Sequence, residues 1–222
     1  AGTAGTGIAD QIAQAMKKEG LVNPESSLWL IGRHGLLTDQ SPHLNDAQRV
    51  YAKKSLPLNL KEAIQQIKPT LLIGCSTVAG AFDQEIIQMM AKFNKHPIIM
   101  PLSNPTRKAE ATAQAIIEGT KGRALIATGS PFDDVNYEGK NYPITQCNNA
   151  YVFPGIGLGT MNAQAKIITD EMLINASYAL ADFKHDQTNL LLPPLTQLSN
   201  VTKHIAKTIS EAVEKHIGSV TE

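Results

Sequence analysis

The chain has 222 residues, 42% of them apolar, and its 20 Lys and Arg balance its 20 Asp and Glu. This is enough for one large domain, or one domain with an appendage, while the zero net charge argues against a nucleic-acid surface and against electrostatic attachment to a membrane. No apolar run reaches the roughly 18 residues of a membrane span, and Cys75 and Cys147, far apart and outside any CxxC or Cys/His cluster, predict neither a disulfide framework nor a zinc site but a reducing, cytoplasmic setting.

The chain opens on Ala1-Gly2-Thr3-Ala4-Gly5-Thr6-Gly7, with no initiator Met and no signal peptide. Ile8, Ile12, Ala15 and Met16 then recur at helical spacing, with Gly20 as a stop. Ser27 to Ile31 (SLWLI) reads as a short buried strand. Thr38 to Asn59 is polar and irregular, a surface excursion with a short helix around Asp46 to Lys54. Leu60 to Ile67 is a predicted helix closed by Lys68-Pro69, and Thr70 to Gly74 (TLLIG) a strand. Asp83 to Lys92 is a helix with Asp83 and Glu85 at the positive end of its dipole. Pro97 to Leu102 is a strand, Ala109 to Glu118 a helix, Ala124 to Ala127 a strand and Ala150 to Phe153 (AYVF) another. A glycine-rich bend follows at Gly155 to Gly159, and the remainder is mostly helix to the C-terminus. There the periodic residues are Met172, Leu173, Ala176 and Leu180, then Val201, Ile205, Ile209 and Val213, with an extended Leu190 to Leu195 between the two sets.

Strands and helices in alternation with short links predict an α/β fold, a doubly wound parallel sheet with helices on both faces. The expected organisation is a dinucleotide-binding domain over 1–168 and a C-terminal helical extension over 169–222 packed on it. A glycine turn of the opening kind normally follows a strand, so the sheet is expected to lack its first strand, with the chain cut or truncated inside the motif.

Four segments carry the candidate chemistry. A glycine turn leading into a helix presents free N–H groups to a pyrophosphate, with the helix dipole adding to the attraction. In GxGxxG the second glycine lets the backbone approach the phosphate and the third lets helix and strand pack closely; Gly2 and Gly5 match these two. A helix start built of small residues is the bland reading of the same stretch. At the end of the next strand, where NAD-preferring folds place an Asp or Glu for the ribose hydroxyls, stand Gly32, Arg33 and His34. Arg33 there either faces a 2′-phosphate, favouring NADP, or is simply solvated. The third segment, Pro101-Leu102-Ser103-Asn104-Pro105-Thr106, falls at a strand's C-terminal end, where open α/β sheets bind ligands; Asn before Pro is equally an ordinary turn signal. The same two readings apply to Gly129-Ser130-Pro131-Phe132 and to Gln146-Cys147-Asn148-Asn149.

Taken in order, the glycine turn, PLSNPT, ATGSPF and QCNNAYVFPGIGLG resemble the malic enzyme family across essentially the whole chain, and the NAD-type bacterial enzymes most of all; malolactic enzymes share the framework. The resemblance implies a Rossmann-like fold and an NAD(P)-dependent, decarboxylating malate dehydrogenase, with this chain as its cofactor-binding part. It implies Asn104 and Asn149 as the residues reaching malate or nicotinamide. Gly2, Thr3, Ala4, Gly5, Gly32, Arg33, Ser103, Asn104 and Asn148 are then the expected cofactor contacts. The family usually has Asp at the position of Gly32 and often Gly at that of Cys147. In the family a Mn²⁺ or Mg²⁺ held by three carboxylates acts as a Lewis acid, a Lys is the general base and a Tyr the general acid. All of these lie upstream of the glycine turn, so no catalytic or metal-binding residue is expected in this chain and the fragment alone is expected to be inactive. The implied partners are malate and pyruvate, the missing N-terminal part and further copies in a homo-oligomer, with neither nucleic acid nor membrane. The other readings are a malolactic enzyme, yielding lactate, and a nucleotide-binding module without chemistry.

The remaining polar residues are consistent with this. Asp133-Asp134 is the nearest thing to a metal pair and reads as a solvated turn; His34, His43, His96, His185, His204 and His216 are scattered; Cys75 lacks a local activating base.

Overall fold

A computed structural model describes residues 1–185 and 190–220 of the chain, the last six of these as backbone only. Two compact units emerge, Ala1–Ile144 and a second beginning at Thr145.

The first unit starts with helix α1 (Thr3–Lys18), which buries Thr6, Ala9 and Ala13 along one face and carries Lys17 and Lys18 in its last turn, where cations favour the dipole. Gly20 ends it at φ +88°, a left-handed stop that glycine adopts without strain. The predicted SLWLI strand is corrected. Ser27 belongs to a 3-10 turn (Pro24–Ser27), and only Ile31 joins strand β1 (Ile31–Gly32), a two-residue hairpin partner of β2 (Gly35–Leu36). A strand exists only as far as it has a neighbour to bond, and among the described residues β2 is too short to hold the rest. Leu30 is nevertheless buried, in a small core with Ala9, Leu37 and Tyr51. The polar excursion contains only α2 (Asp46–Arg49), shorter than expected, opened by an Asn45/Gln48 capping box. Beyond it the Tyr51 hydroxyl donates to Asp10 Oδ1 at 2.6 Å and ties the excursion to α1.

The sheet follows the predicted alternation. Helix α3 (Leu60–Ile67) has an Asn59/Glu62 capping box and stops at left-handed Lys68 before Pro69. Then come β3 (Leu71–Gly74), α4 (Gln84–Phe93, with Asp83 as its N-cap), β4 (Ile98–Pro101), α5 (Ala113–Gly119) and β5 (Leu125–Thr128). The three strands run parallel, in the order β3–β4–β5, with Leu72 opposite Ile99 and Ile99 opposite Ile126. Helices α3, α4 and α5 flank them around Ile64, Ile86, Met90, Ile99, Ile116 and Ile126. Helix α5 begins four residues later than predicted because the Thr112 hydroxyl caps it, accepting from Ala115 N, while Glu110 turns inward. A hairpin, β6 (Val135–Tyr137) and β7 (Lys140–Tyr142), was not anticipated; Glu138 and Gly139 form its turn, both at positive φ. Asp134, read as solvated, accepts from Asn141 Nδ2 and from Ile144 N and so braces that hairpin.

In the second unit the predicted AYVF strand and glycine bend are both corrected. Asn149–Tyr151 is a 3-10 turn, and Phe153–Asn162 is one helix, α6, with Pro154 in its first turn. The glycines lie inside it because α8 (Leu198–Val220) crosses so closely. A Cβ at Gly155 would stand 2.7 Å from Ile205 Cβ, and one at Gly159 would stand 2.8 Å from Ile209 Cβ. Helix α7 (Asp170–Ala181) completes the unit, and Met172, Ala176, Val201, Ile205 and Ile209 from the predicted stripes form its core with Tyr151. The expected extension over 169–222 includes 186–189 and 221–222, which lie outside the described residues. Among the described residues, no helix is long and apolar enough to cross a membrane.

Candidate functional site

The C-terminal ends of β3, β4 and β5 lie side by side, as the parallel register requires, and the loops leaving them carry Gly74-Cys75-Ser76, Leu102-Ser103-Asn104 and Gly129-Ser130. Their side chains form one network. At its base is Glu110, fully buried. Its Oε1 accepts from Ser76 N (2.7 Å), Ser76 Oγ (2.8 Å) and Ser103 Oγ (2.5 Å), and its Oε2 from Ser103 N (3.3 Å). Burial pushes the carboxyl up, but the hydrogen bonds from Ser103 and Ser76 together outweigh it and hold Glu110 below the ordinary glutamate value. Ser103 Oγ also accepts from Thr77 N at 2.8 Å. At the other side of β4, Ser130 Oγ donates to Asn104 Oδ1 at 2.6 Å. That leaves the exposed NH₂ of Asn104 as a free donor at the sheet's edge.

Two glycines make the network possible. A Cβ at Gly74 would stand 2.6 Å from Glu110 Cδ, and one at Gly129 would stand 2.1 Å from the Leu102 carbonyl oxygen. Neither position has space for a side chain.

The start of α1 meets the same edge. Gly2 is the N-cap, extended, with no side-chain cap and no acidic residue in the first turn, so the first N–H groups point outward without a competing acceptor. A Cβ at Gly2 would have nothing within 4 Å, whereas one at Gly5 would stand 3.3 Å from Cys75 Sγ at the end of β3. The open glycine thus faces outward and the packed one faces the strand, the division of labour that a phosphate-binding turn requires. Thr6, inside the first turn, returns its hydroxyl to the Gly2 and Thr3 carbonyls. The backbone nitrogen of Ala1 donates to Ile31 O at 2.6 Å, which sets the turn beside β1. Gly32 and Arg33 follow at the hairpin tip. Arg33 is exposed and makes no ion pair among the described residues. Gly35, opposite Gly32, is left-handed and abuts the Leu58 carbonyl.

Asn148 and Asn149 belong to the second unit. Asn148 Oδ1 accepts from Ala150 N at 2.9 Å and caps the 3-10 turn, so part of its polar capacity is structural; Asn149 is exposed at the first position of that turn. Burial pushes the Cys147 thiol up, and the Cys75 thiol also, the latter reinforced by the nearby Glu110 charge, so both are poor nucleophiles. Among the described residues no group of three His, Cys, Asp or Glu could hold a metal ion. The edge therefore supplies hydrogen-bond donors and a dipole, suited to an anionic and amide-bearing ligand, but no exposed acid or base within the network.

Glu110, Ser76 and Gly74 had no candidate role from sequence, whereas Gly129 and Ser130 lay in a candidate segment. Ser76 and Ser130 share with Ser103 a position two residues past a strand end, a regularity visible in hindsight. Glu110 had no such signal, since an acidic residue near a predicted helix start reads as a partner for the dipole.

A family model for the NAD-binding domain of malic enzyme matches residues 1–214. Among curated relatives, the NAD-dependent malic enzyme of Pectobacterium carotovorum is 47% identical over 96% of this chain and 40% of that protein. The NAD-dependent malic enzyme of Proteus mirabilis is 46% identical over the whole chain and 42% of that protein. The chain thus spans about two-fifths of the length of these relatives. A solved structure of an NAD-dependent malic enzyme from Thermotoga maritima superposes with a TM-score of 0.66 at 20% identity, covering 93% of this chain and 57% of that one; the likeness shows a shared fold.

Proposed function

Since the chain belongs to the malic enzyme family and forms its NAD-binding domain, we propose that it is the cofactor-binding part of a longer enzyme. That enzyme oxidises malate with NAD and releases pyruvate and carbon dioxide. The observation that carries this reading is the start of α1, where Gly2 is open to a ligand while Gly5 packs on Cys75. A pyrophosphate fits that cradle, because the helix dipole and the N–H groups of Thr3, Ala4 and Gly5 face it without a competing acceptor.

The residues then act in order along the sheet edge. Gly2 to Gly5 bind the pyrophosphate. Gly32 and Arg33 flank the adenosine ribose. Asn104 orients the nicotinamide end; Ser103, buried with its hydroxyl and backbone nitrogen both held by Glu110, serves by fixing the loop that carries Asn104 rather than by touching the cofactor as its sequence position suggested. The family resemblance assigns Asn148 to the same cofactor. The amide of Asn104 donates to malate without adding a charge that would compete for the substrate's cationic partners, and the family resemblance assigns Asn149 the same ligand. When bound, NAD accepts the hydride from the substrate carbon. The general base, the general acid and the carboxylates for Mn²⁺ or Mg²⁺ belong to the remainder of the protein. The enzyme works in the cytoplasm as a homo-oligomer.

The test is product analysis with the full-length protein, malate, NAD and Mn²⁺. Pyruvate and NADH in equal amounts are expected. Lactate without net NADH would replace this reading by a malolactic one, and NAD binding without either product would leave only a binding module.

A further inference from the structure

A buried carboxylate is costly unless its charge is met. Glu110 is completely buried, and among the described residues no Lys, Arg or His forms an ion pair with it. Its charge is met instead by four hydrogen bonds, and all four come from just two loops, those leaving β3 and β4. Ser103 is held at both its hydroxyl and its backbone nitrogen, and its hydroxyl passes the connection on to Thr77 N. The peptide that leads into Asn104 is therefore pinned from below. From the side, Ser130 Oγ takes the Asn104 carbonyl oxygen. One orientation of the Asn104 amide satisfies both constraints, with its NH₂ outward.

The acceptor must also be a carboxylate. Every group facing Glu110 Oε1 and Oε2 is a donor, so an amide in its place would set its own NH₂ against one of them. A side chain at Gly74 would occupy the spot Glu110 fills.

We propose that Glu110 is a positioning residue, one that clamps the loops after β3 and β4 so that Asn104 presents its amide in a single preset orientation to the nicotinamide and malate. This rests on the reading of Asn104 given above. The clamp acts by preorganisation, since the orientation that binding would otherwise have to select is already fixed before the ligand arrives.

The test is a double-mutant cycle in the full-length protein, with the dissociation constant of NAD measured by calorimetry and the KM for malate alongside, at a temperature where circular dichroism shows every variant folded. Glu110→Gln is expected to weaken NAD binding on the order of tenfold, the scale of disturbing one hydrogen bond to a charged group. In an Asn104→Ala background the same change should have an effect of less than about twofold, because there is no amide left to position. Equal weakening in both backgrounds would overturn the proposal, since Glu110 would then act on the site by some route other than Asn104. No weakening in the native background would overturn it too. If Asn104→Ala alone left both the NAD constant and the malate KM unchanged, the reading of Asn104 itself would fall and the clamp would lose its object. Should Glu110→Gln not fold, Ser76→Ala removes one bond of the clamp from the β3 side. It must show the same dependence on Asn104, and an effect independent of Asn104 would again overturn the proposal.

Discussion

Gly32 is a single missing carboxylate with a large expected consequence. Without a negative group at this strand end, the repulsion that excludes a 2′-phosphate is absent, and the exposed Arg33 fork beside it suits phosphate. The full-length enzyme is expected to use both cofactors, with NAD ahead. A Cβ at Gly32 would press on the end of the flexible Leu37 side chain at 3.2 Å and meet the Gly35 carbonyl oxygen at an ordinary 3.8 Å, so Gly32→Asp is accommodated with a small shift of Leu37. It should worsen NADP binding by about 1–3 kcal/mol, the scale of a poorly satisfied charge. The ratio of kcat/KM for the two cofactors reads this directly, and an unchanged ratio would move selection elsewhere, toward Arg49. Glu110 gives a second prediction at this scale, in pH. Its folded-state value is held below the ordinary one, so its contribution to stability is fully present above the ordinary glutamate value and is lost as pH falls through the folded value. The Tm advantage over Glu110→Gln should therefore shrink as the pH is lowered from neutral to well below the ordinary glutamate value. An advantage that stayed constant over that range would show that the carboxylate gains nothing from its four donors. Gly32 invites a reading from sequence because its proposed role depends on one strand end. Glu110 could not, because its partners lie 34 and 7 residues away along the chain.

Helix α6 shows how an element can be misread from its own composition. Its five residues from Gly155 to Gly159 hold three glycines, which on local propensity break a helix. They are helical because α8 supplies packing that only glycine allows. Gly157, on another side of the same helix, has nothing within 4 Å of its Cβ position. The pair makes a controlled comparison. Gly155→Ala is expected to destabilise by about 1–3 kcal/mol through overpacking against Ile205. Gly157→Ala should be neutral or stabilising by about 0.5–1 kcal/mol, the ordinary gain of replacing a helical glycine that has open space at its Cβ position. Urea unfolding of the two variants checks this, and equal effects would mean that close approach of α6 and α8 is not the reason for the glycines. The helices with ordinary composition were legible from sequence. Leu60–Ile67 was delimited to the residue, because Asn59, Glu62 and the Lys68-Pro69 stop are all local signals.

For the molecule as a whole, a chain covering about two-fifths of its relatives' length is expected to bind without reacting. The described residues offer no cluster able to hold a metal ion, and the proposed function places the acid–base groups outside this chain. The chain alone, given malate, NAD and Mn²⁺, should produce no NADH above a protein-free blank, and full-length protein should. Turnover by the chain alone would require a base and metal ligands that have not been assigned. The family, the alternation that makes a parallel sheet and the apolar stripes of α7 and α8 were determined by the sequence itself, because periodicity and capping act within a few residues and the motifs keep their order along the chain. The tertiary structure alone decided that only Ile31 of SLWLI would pair with a neighbouring strand, that the glycine bend would be a helix, and that Glu110 would sit beneath the loops leaving β3 and β4. In each case the deciding partner, a neighbouring strand, a crossing helix or a set of donors, comes from a distant part of the chain, and no local pattern encodes it.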